Sequence, residues 1–367
     1  MTPMFDVAIV GGGPVGLATA IEVASRGLTA VVLERRSGDV DKACGEGLMP
    51  SGRAALERLG ALHRLSADDC APFAAIRYMQ EDGRGVEARL PAPGGLGVRR
   101  TALRAALAAE AVHRGIDVRE SCGVRSHRID ARGVTLVTDA GEVTARFLVG
   151  ADGLHSPTRR ALGLEGAPRG RRRFGLRQHV AMAPWSSCVE VHWSRGVEAY
   201  VTPAGKQRVG IAFLWEDGAV EPSPDFATLL AHFPVLGARI AGAAPDSRAT
   251  GAGPLRQTAT ARTTDRAALV GDAGGYVDAI TGEGLSLGFE QARVLAEVLP
   301  GALRIGASRA SLAAYERASA EAFARYARLA SALLWTARRP ALRRFVLDRL
   351  IDAPAVFGFA LRGAIGA

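Results

Sequence analysis

An apolar run, Ala268-Leu-Val270, ends in Gly271-Asp272, and glycines 274, 275, 282 and 284 bracket a second acid, Asp278. A carboxylate delivered at a strand's carboxyl end, beside backbone that glycine lets come close, suits a phosphorylated or polyhydroxylated ligand. A strand run ending in a glycine-rich turn recurs twice, the second time with an acid, Asp152. Gly11-Gly-Gly13-Pro14-Val15-Gly16 follows the run Phe5–Val10, and Gly150-Ala-Asp152-Gly-Leu-His-Ser156 follows Ala145–Val149. Three further side chains have types that move protons or electrons. Cys44 lies in Lys42-Ala-Cys44-Gly45-Glu46. A partly exposed thiol beside a lysine can have a lowered pKa and act as proton donor or redox partner; the alternative is a small packing residue in a tight turn. Asp278 can shuttle a proton if burial raises its pKa, or cap the helix that opens near Glu283, or stay solvated. Tyr200, in Tyr200-Val-Thr-Pro203-Ala-Gly205, either faces a substrate or is a plain sheet aromatic.

These groups need elements to carry them. Phe5–Val10 reads as a buried strand. Gly11 permits the tight turn, Gly13 lets backbone meet a pyrophosphate, and Gly16 lets the following helix pack on the strand. That helix, from Pro14 to about Arg26, points its amino-terminal amides and dipole at the phosphates. A second strand, Leu28 to Leu33, ends in Glu34, where a carboxylate grips ribose hydroxyls, with Arg35 beside it. The spacing therefore predicts a dinucleotide site.

In this order the motifs resemble those of the para-hydroxybenzoate hydroxylase-like flavoproteins, over roughly residues 4–300. The resemblance implies FAD, with its adenosine half on the first motif and Glu34. It places Asp152 near the pyrophosphate and the nicotinamide route, and Asp272 at the ribityl and pyrophosphate region. Gly282, Gly284 and Leu285 would meet the cofactor at a helix start. Arg100, Leu103, Leu107 and Ala111 look like the family's Arg-x-x-Leu-x-x-x-Leu-x-x-x-Ala helix, whose arginine contacts FAD. Lys42-Ala-Cys44-Gly45-Glu46 and Thr281-Gly-Glu-Gly284 resemble loops of the geranylgeranyl-reductase-like enzymes, and Gly45-Glu46 also resembles flavin-dependent halogenases. Aromatic hydroxylases carry a histidine where this chain has Gly275 and a proline pair at Asp278-Ala279, so their mechanism does not transfer residue for residue. The halogenase Trp-x-Trp-x-Ile-Pro motif is absent, and the two lysines, Lys42 and Lys206, lack a halogenase context.

Composition narrows the rest. The chain has 367 residues, 48% of them hydrophobic, enough for a large core. Cys44, Cys70, Cys122 and Cys188 are scattered, with neither CxxC nor His-rich spacing, which argues against a metal site or a disulfide framework. No cationic leader precedes the first strand, and no apolar run is long enough to span a bilayer, so a cytoplasmic protein is expected. A net charge of +9 suits anionic cofactors, acidic substrates or lipid heads. With 6% aromatics and no aromatic-interleaved basic stripe, nucleic acid is not an expected partner. The cluster Arg169 to Arg173 reads as a solvated loop, with a docking site for an NADPH phosphate or a carrier protein's phosphopantetheine as the alternative. Near the carboxyl end, Leu342, Phe345, Val346 and Leu350 form one apolar face flanked by arginines. Such a helix caps a protein core or lies peripherally on a membrane.

The expected architecture is α/β. A Rossmann-type FAD-binding domain (1–72, 99–173 and 255–307) is interleaved with an antiparallel β-sheet substrate domain (73–98 and 174–254), and helices follow over 308–367. Trp185, Trp193 and Trp215 are assigned to the core of the sheet roofing the flavin. The functional reading is an FAD-dependent oxidoreductase. NADPH or NADH would bind transiently as reductant, because no second nucleotide fingerprint exists. Hydroxylation of a lipophilic or polyketide-like small molecule is placed first. A double-bond reductase of the geranylgeranyl-reductase type, a halogenase and a non-catalytic flavin- or lipid-binding module are the alternatives. The candidate catalytic residues are Cys44, Asp278 and Tyr200.

Overall fold

Phe5–Val10 lies between two parallel neighbours, Ala30–Leu33 and Gly141–Gly150. Strands covered on both faces read as continuous apolar runs rather than alternating ones, and Val7, Ala8, Ile9, Val31, Val32 and Phe147 are all fully buried. The computed structural model describes residues 4–38, 41–167 and 170–352. Thr263–Thr264 and Ala267–Leu269 extend this sheet beyond Gly141–Gly150, and Asp117–Arg119 flanks Ala30–Leu33 on the other side. The helices Pro14–Ala24, Arg100–His113 and Gly284–Arg304 supply Leu17, Ile21, Leu107, Phe289 and Leu295 to its main core.

A second sheet of seven strands forms the roof. Its order is Thr250–Ala252, Arg173–Val180, Arg208–Glu216, Val197–Gly205, Cys188–Trp193, Ala75–Met79, Gly85–Arg89. All neighbours are antiparallel except Cys188–Trp193 and Ala75–Met79. The short helix Phe226–Leu230 packs on the roof, contributing Leu229 to a core with Val201, Ile211 and Phe213. Asp225 caps it by accepting from the Thr228 amide at 2.7 Å.

Three expectations change. First, only 75–89 of the segment 73–98 joins the roof. Gly95–Val98 pairs with Gly47–Leu48 and Cys70–Phe73 in a separate three-stranded sheet between the layers. Second, Trp193 is buried in a cluster with Tyr326, Leu334 and Leu347 of the carboxyl-terminal helices, not with the roof core that holds Trp215. Third, the helix Pro340–Asp352 buries Arg343 and Leu347, and leaves Phe345 57% exposed. Of the expected stripe of Leu342, Phe345, Val346 and Leu350, Leu350 packs against the core cluster, Leu342 and Val346 are half-buried, and Phe345 faces out. Arg343 lies over the Trp193 ring, 5.5 Å from its centroid, and reaches Glu81 at 3.1 Å, which brings a charged residue into the inward face beside Leu347. The rest of the tail, beyond 352, and Arg169 of the basic cluster lie outside the described residues. Among the described residues no helix is long and apolar enough to cross a membrane.

Candidate functional site

One cavity of about 1520 Å³ runs between the parallel sheet and the roof. Its floor is the glycine loop. Gly11 has φ +113°, and a Cβ there would sit 2.5 Å from the Ala151 carbonyl oxygen. A Cβ on Gly16 would come within 1.9 Å of the Gly11 carbonyl oxygen, so the helix touches the loop backbone to backbone. Gly13, Pro14 and Val15 line the cavity at the amino terminus of Pro14–Ala24, where amides and dipole favour an anion.

Side chains complete this cradle. Glu34 stands at the end of its strand and lines the cavity with Arg35. Its Oε2 accepts from the Gly12 amide at 2.8 Å and its Oε1 from the Arg36 amide at 3.0 Å. Arg100 opens its helix and lines the same end. Arg104, one turn on, is buried; its Nε donates to the Gly12 carbonyl at 3.0 Å and its Nη2 to Glu120 at 2.6 Å. The sequence reading missed Arg104, although its spacing from Arg100 sets both on one helix face. Asp152 lines the cavity, but its carboxylate is engaged by the Ser156 hydroxyl and by the Thr158 amide at 2.9 Å. Asp272 is half-buried in the cavity wall, and desolvation pushes its carboxyl up against the pull of Arg100 and Lys42. Burial lowers Lys42, helped by the neighbouring Arg100. Gly282, Gly284 and Leu285 meet the cavity where Gly284–Arg304 begins.

The three candidate catalytic residues separate. Cys44 lines the cavity, and its Sγ accepts from the Glu46 amide at 3.4 Å. Its thiol is pushed up, not down: burial outweighs the Arg100 charge, and Glu46 adds to the rise. The lowered pKa expected from Lys42 is therefore corrected to a thiol that stays protonated. Tyr200 lines the cavity from within Val197–Gly205, and its hydroxyl donates to Glu198 at 3.4 Å. Burial raises that hydroxyl well above the ordinary tyrosine value. Asp278 is not among the residues lining this cavity. Its Oδ2 accepts from Arg173 Nε at 2.8 Å, its Oδ1 accepts from the Ile280 amide at 3.1 Å, and Tyr326 holds its backbone. The geometry makes it an anchor for the loop beneath the cavity rather than a shuttle facing it. Arg173, expected in a solvated loop, is correspondingly buried between Asp278 and Glu198, because it begins a roof strand.

A second buried network ties the loop carrying Cys44 to the roof. Glu46 has φ +58°. One carboxylate oxygen accepts from the Arg100 amide at 2.9 Å, the other from His179 Nε2 at 2.5 Å. Arg177 and the Ser247 hydroxyl both face His179 Nδ1, at 3.2 and 2.8 Å. A guanidinium can only donate, so Nδ1 is the acceptor and Nε2 carries the proton given to Glu46. Arg177 also pairs with Asp41. No spacing in the chain announces these contacts. Their only sequence signal is the Gly45-Glu46 pair itself.

Among the described residues no group of His, Cys, Asp or Glu could hold a metal. The glycine cradle, the acid at the strand end and Arg100 fit a dinucleotide such as FAD.

Comparison with known proteins agrees. The FAD binding domain family matches residues 4–330. Menaquinone reductase of Mycobacterium tuberculosis is 29% identical over 321 residues, covering 80% of this chain and 76% of that protein. Digeranylgeranylglycerophospholipid reductase 2 of Methanopyrus kandleri is 26% identical over 309 residues, covering 80% and 76%. The structure of the flavin-dependent brominase Bmp2 superposes with a TM-score of 0.86 at 17% identity, over 100% of this chain and 94% of that one, which is a likeness of fold.

Proposed function

The chain belongs to the FAD binding domain family and is an FAD-dependent oxidoreductase; from that premise we propose that it saturates a carbon–carbon double bond in a lipophilic substrate, with NADPH or NADH as reductant. The observation that carries this reading is the path of the loop 42–47. At one end Lys42 lies in the field of Glu34 and Asp272. At the other end Gly47 lies beside Val189 and Phe73, in a limb of the cavity also walled by Ile76, Val191 and Tyr200. Cys44, with its protonated thiol, stands between the polar and apolar ends.

Gly11, Gly13, Glu34, Arg100 and Asp272 would hold FAD, which supplies a hydride when reduced. The apolar limb orients the substrate and excludes water. Cys44 Sγ–H delivers a proton to the carbon next to the one that receives hydride, and the thiolate recovers its proton from solvent. The product would gain two hydrogens, a hydride that bound FAD would supply and the proton from Cys44, with NAD(P)H as the ultimate reductant. Two relatives that each match 80% of the chain are reductases, which supports the same order. Hydroxylation, placed first on sequence alone, is the second reading. It is favoured by the stacked rings of Phe174 and Trp215 in the cavity wall, 6.1 Å apart, an apolar cover of the kind oxygen chemistry needs.

Turnover of polyprenyl quinones and prenyl lipids under argon, by wild type and Cys44→Ala, separates the readings. Double-bond reduction proceeds without oxygen, adds two mass units of hydrogen, and slows about a hundredfold in Cys44→Ala at unchanged FAD content, the low end for a general acid. A strict oxygen requirement, with label from heavy oxygen gas in the product, overturns it in favour of hydroxylation.

A further inference from the structure

Behind the loop that carries Asp278 lies a second cavity of about 130 Å³, which shares no wall residue with the main one. Its walls include Arg171, Arg173, Arg256, Arg338, Asp278 and Leu334. The charges around it do not balance. Arg173 is shared between Asp278 and Glu198, and Arg171 and Arg338 both pair with Glu216. Arg256 makes no hydrogen bond or ion pair among the described residues, and its charge acts on Asp278 only through space. Four guanidinium groups thus face three carboxylates, and the excess charge sits on Arg256.

The hydrogen-bond count is more lopsided than the charge. A guanidinium has five N–H donors. Arg171 spends Nη1 on Glu216 and Arg338 spends Nε on the same residue, while Arg256 spends none. Forked donors along the wall of a small pocket, with Arg171 74% and Arg338 40% exposed at its mouth, match the oxygens of a phosphate, which accept charge-assisted bonds from arginine pairwise. A lone carboxylate would leave most of these donors unused. We propose that this pocket, built by Arg171, Arg256 and Arg338, is a binding site for one phosphate group.

Its position gives the site a consequence. Asp278 walls the pocket, and the next residues, Ala279, Ile280 and Thr281, line the main cavity. A phosphate held there bears on the loop beneath that cavity through Arg173 and Asp278. Two sources share the chemistry: the 2′-phosphate of NADPH, and inorganic phosphate. The binding test below does not depend on which reaction the enzyme catalyses.

FAD-loaded protein is titrated with sodium phosphate in a calorimeter at constant ionic strength, for wild type, Arg256→Ala and Arg256→Lys. Wild type binds with Kd below about 1 mM, Arg256→Ala weakens binding at least about tenfold, and Arg256→Lys recovers part of it. In parallel, bleaching of the flavin by NADPH and by NADH is followed anaerobically. If Arg256→Ala and added phosphate impair NADPH and spare NADH, the site takes the coenzyme's 2′-phosphate. If phosphate binds through Arg256 but both coenzymes behave alike in the variant, the ligand is free phosphate. Absence of phosphate binding in wild type, or equal affinity in Arg256→Ala, overturns the site.

Discussion

The cradle and the roof close on the same cavity by opposite means. In the cradle, backbone meets backbone: Gly11 against Ala151 and Gly16 against Gly11 leave no room for a side chain, and apolar residues fill the core behind them. In the roof and its seam, buried charges do the joining. Arg173 meets Glu198 across 25 residues of sequence and Asp278 across 105, and His179 meets Glu46 across 133. The difference teaches where each half is vulnerable. A close-packed backbone tolerates polar changes around it and no added volume, whereas a buried ion pair tolerates neither partner's loss, since that strands a charge.

Arg173→Leu is the strongest test of the roof. It leaves Asp278 and Glu198 buried without their cation, and the expected cost is about 3–5 kcal/mol in urea unfolding near neutral pH. Arg172→Ala is the control: that side chain is 63% exposed and 3.7 Å from Asp217, and its loss stays within about 0.5 kcal/mol. A cost below about 1 kcal/mol for Arg173→Leu would erase the contrast between the two regions.

Glu283 sharpens it from the cradle side, as a half-buried acid with no counter-ion among the described residues. It precedes Gly284–Arg304, its Oε1 has no hydrogen-bond partner among the described residues, and burial pushes its carboxyl from 4.5 up to about 7. Between those values the folded protein keeps a proton that the unfolded chain has lost. Its contribution to stability is therefore present at low pH, declines as pH rises through about 4.5 to 7, and is lost above. Glu283→Gln removes that decline. The variant is expected to match wild type near pH 4 and to exceed it by up to about 3 kcal/mol at pH 8. Parallel stability–pH curves would show that the carboxyl is not held neutral.

Glu34→Ala carries the smallest effect and probes the cradle's one acid at the ribose position. FAD affinity of the apoprotein should fall about tenfold in a calorimetric titration, the loss of one charge-assisted contact, with the unfolding midpoint of the apoprotein little changed. Unchanged affinity would mean that backbone alone holds the cofactor.

The cradle was legible because its parts lie close in the chain and each is forced by backbone geometry. Gly11 to Gly16 and Glu34 fall within one βαβ stretch, and the helix starting at Arg100 and the turn before Gly284 are local patterns too. Arg104 was readable on the same grounds and was passed over. The roof resisted because burial inverts what composition suggests. Arg173 sat in a run of arginines that reads as solvent-facing, yet it begins a strand under the loop of Asp278. Arg343 sat among charged neighbours and is buried against Trp193. Cys44 stood two residues from a lysine, yet burial and Glu46 raise its thiol.

The amino-acid sequence by itself determined the nucleotide cradle, the family and the alternation of the two layers, since glycine spacing and apolar periodicity act over a few residues and need no distant partner. Tertiary structure alone decided which charges are buried, which thiol stays protonated, that Asp278 anchors instead of facing the cavity, and that Arg256 makes no ion pair among the described residues. Desolvation and ion pairing depend on what arrives from a hundred residues away, and local spacing carries no record of it.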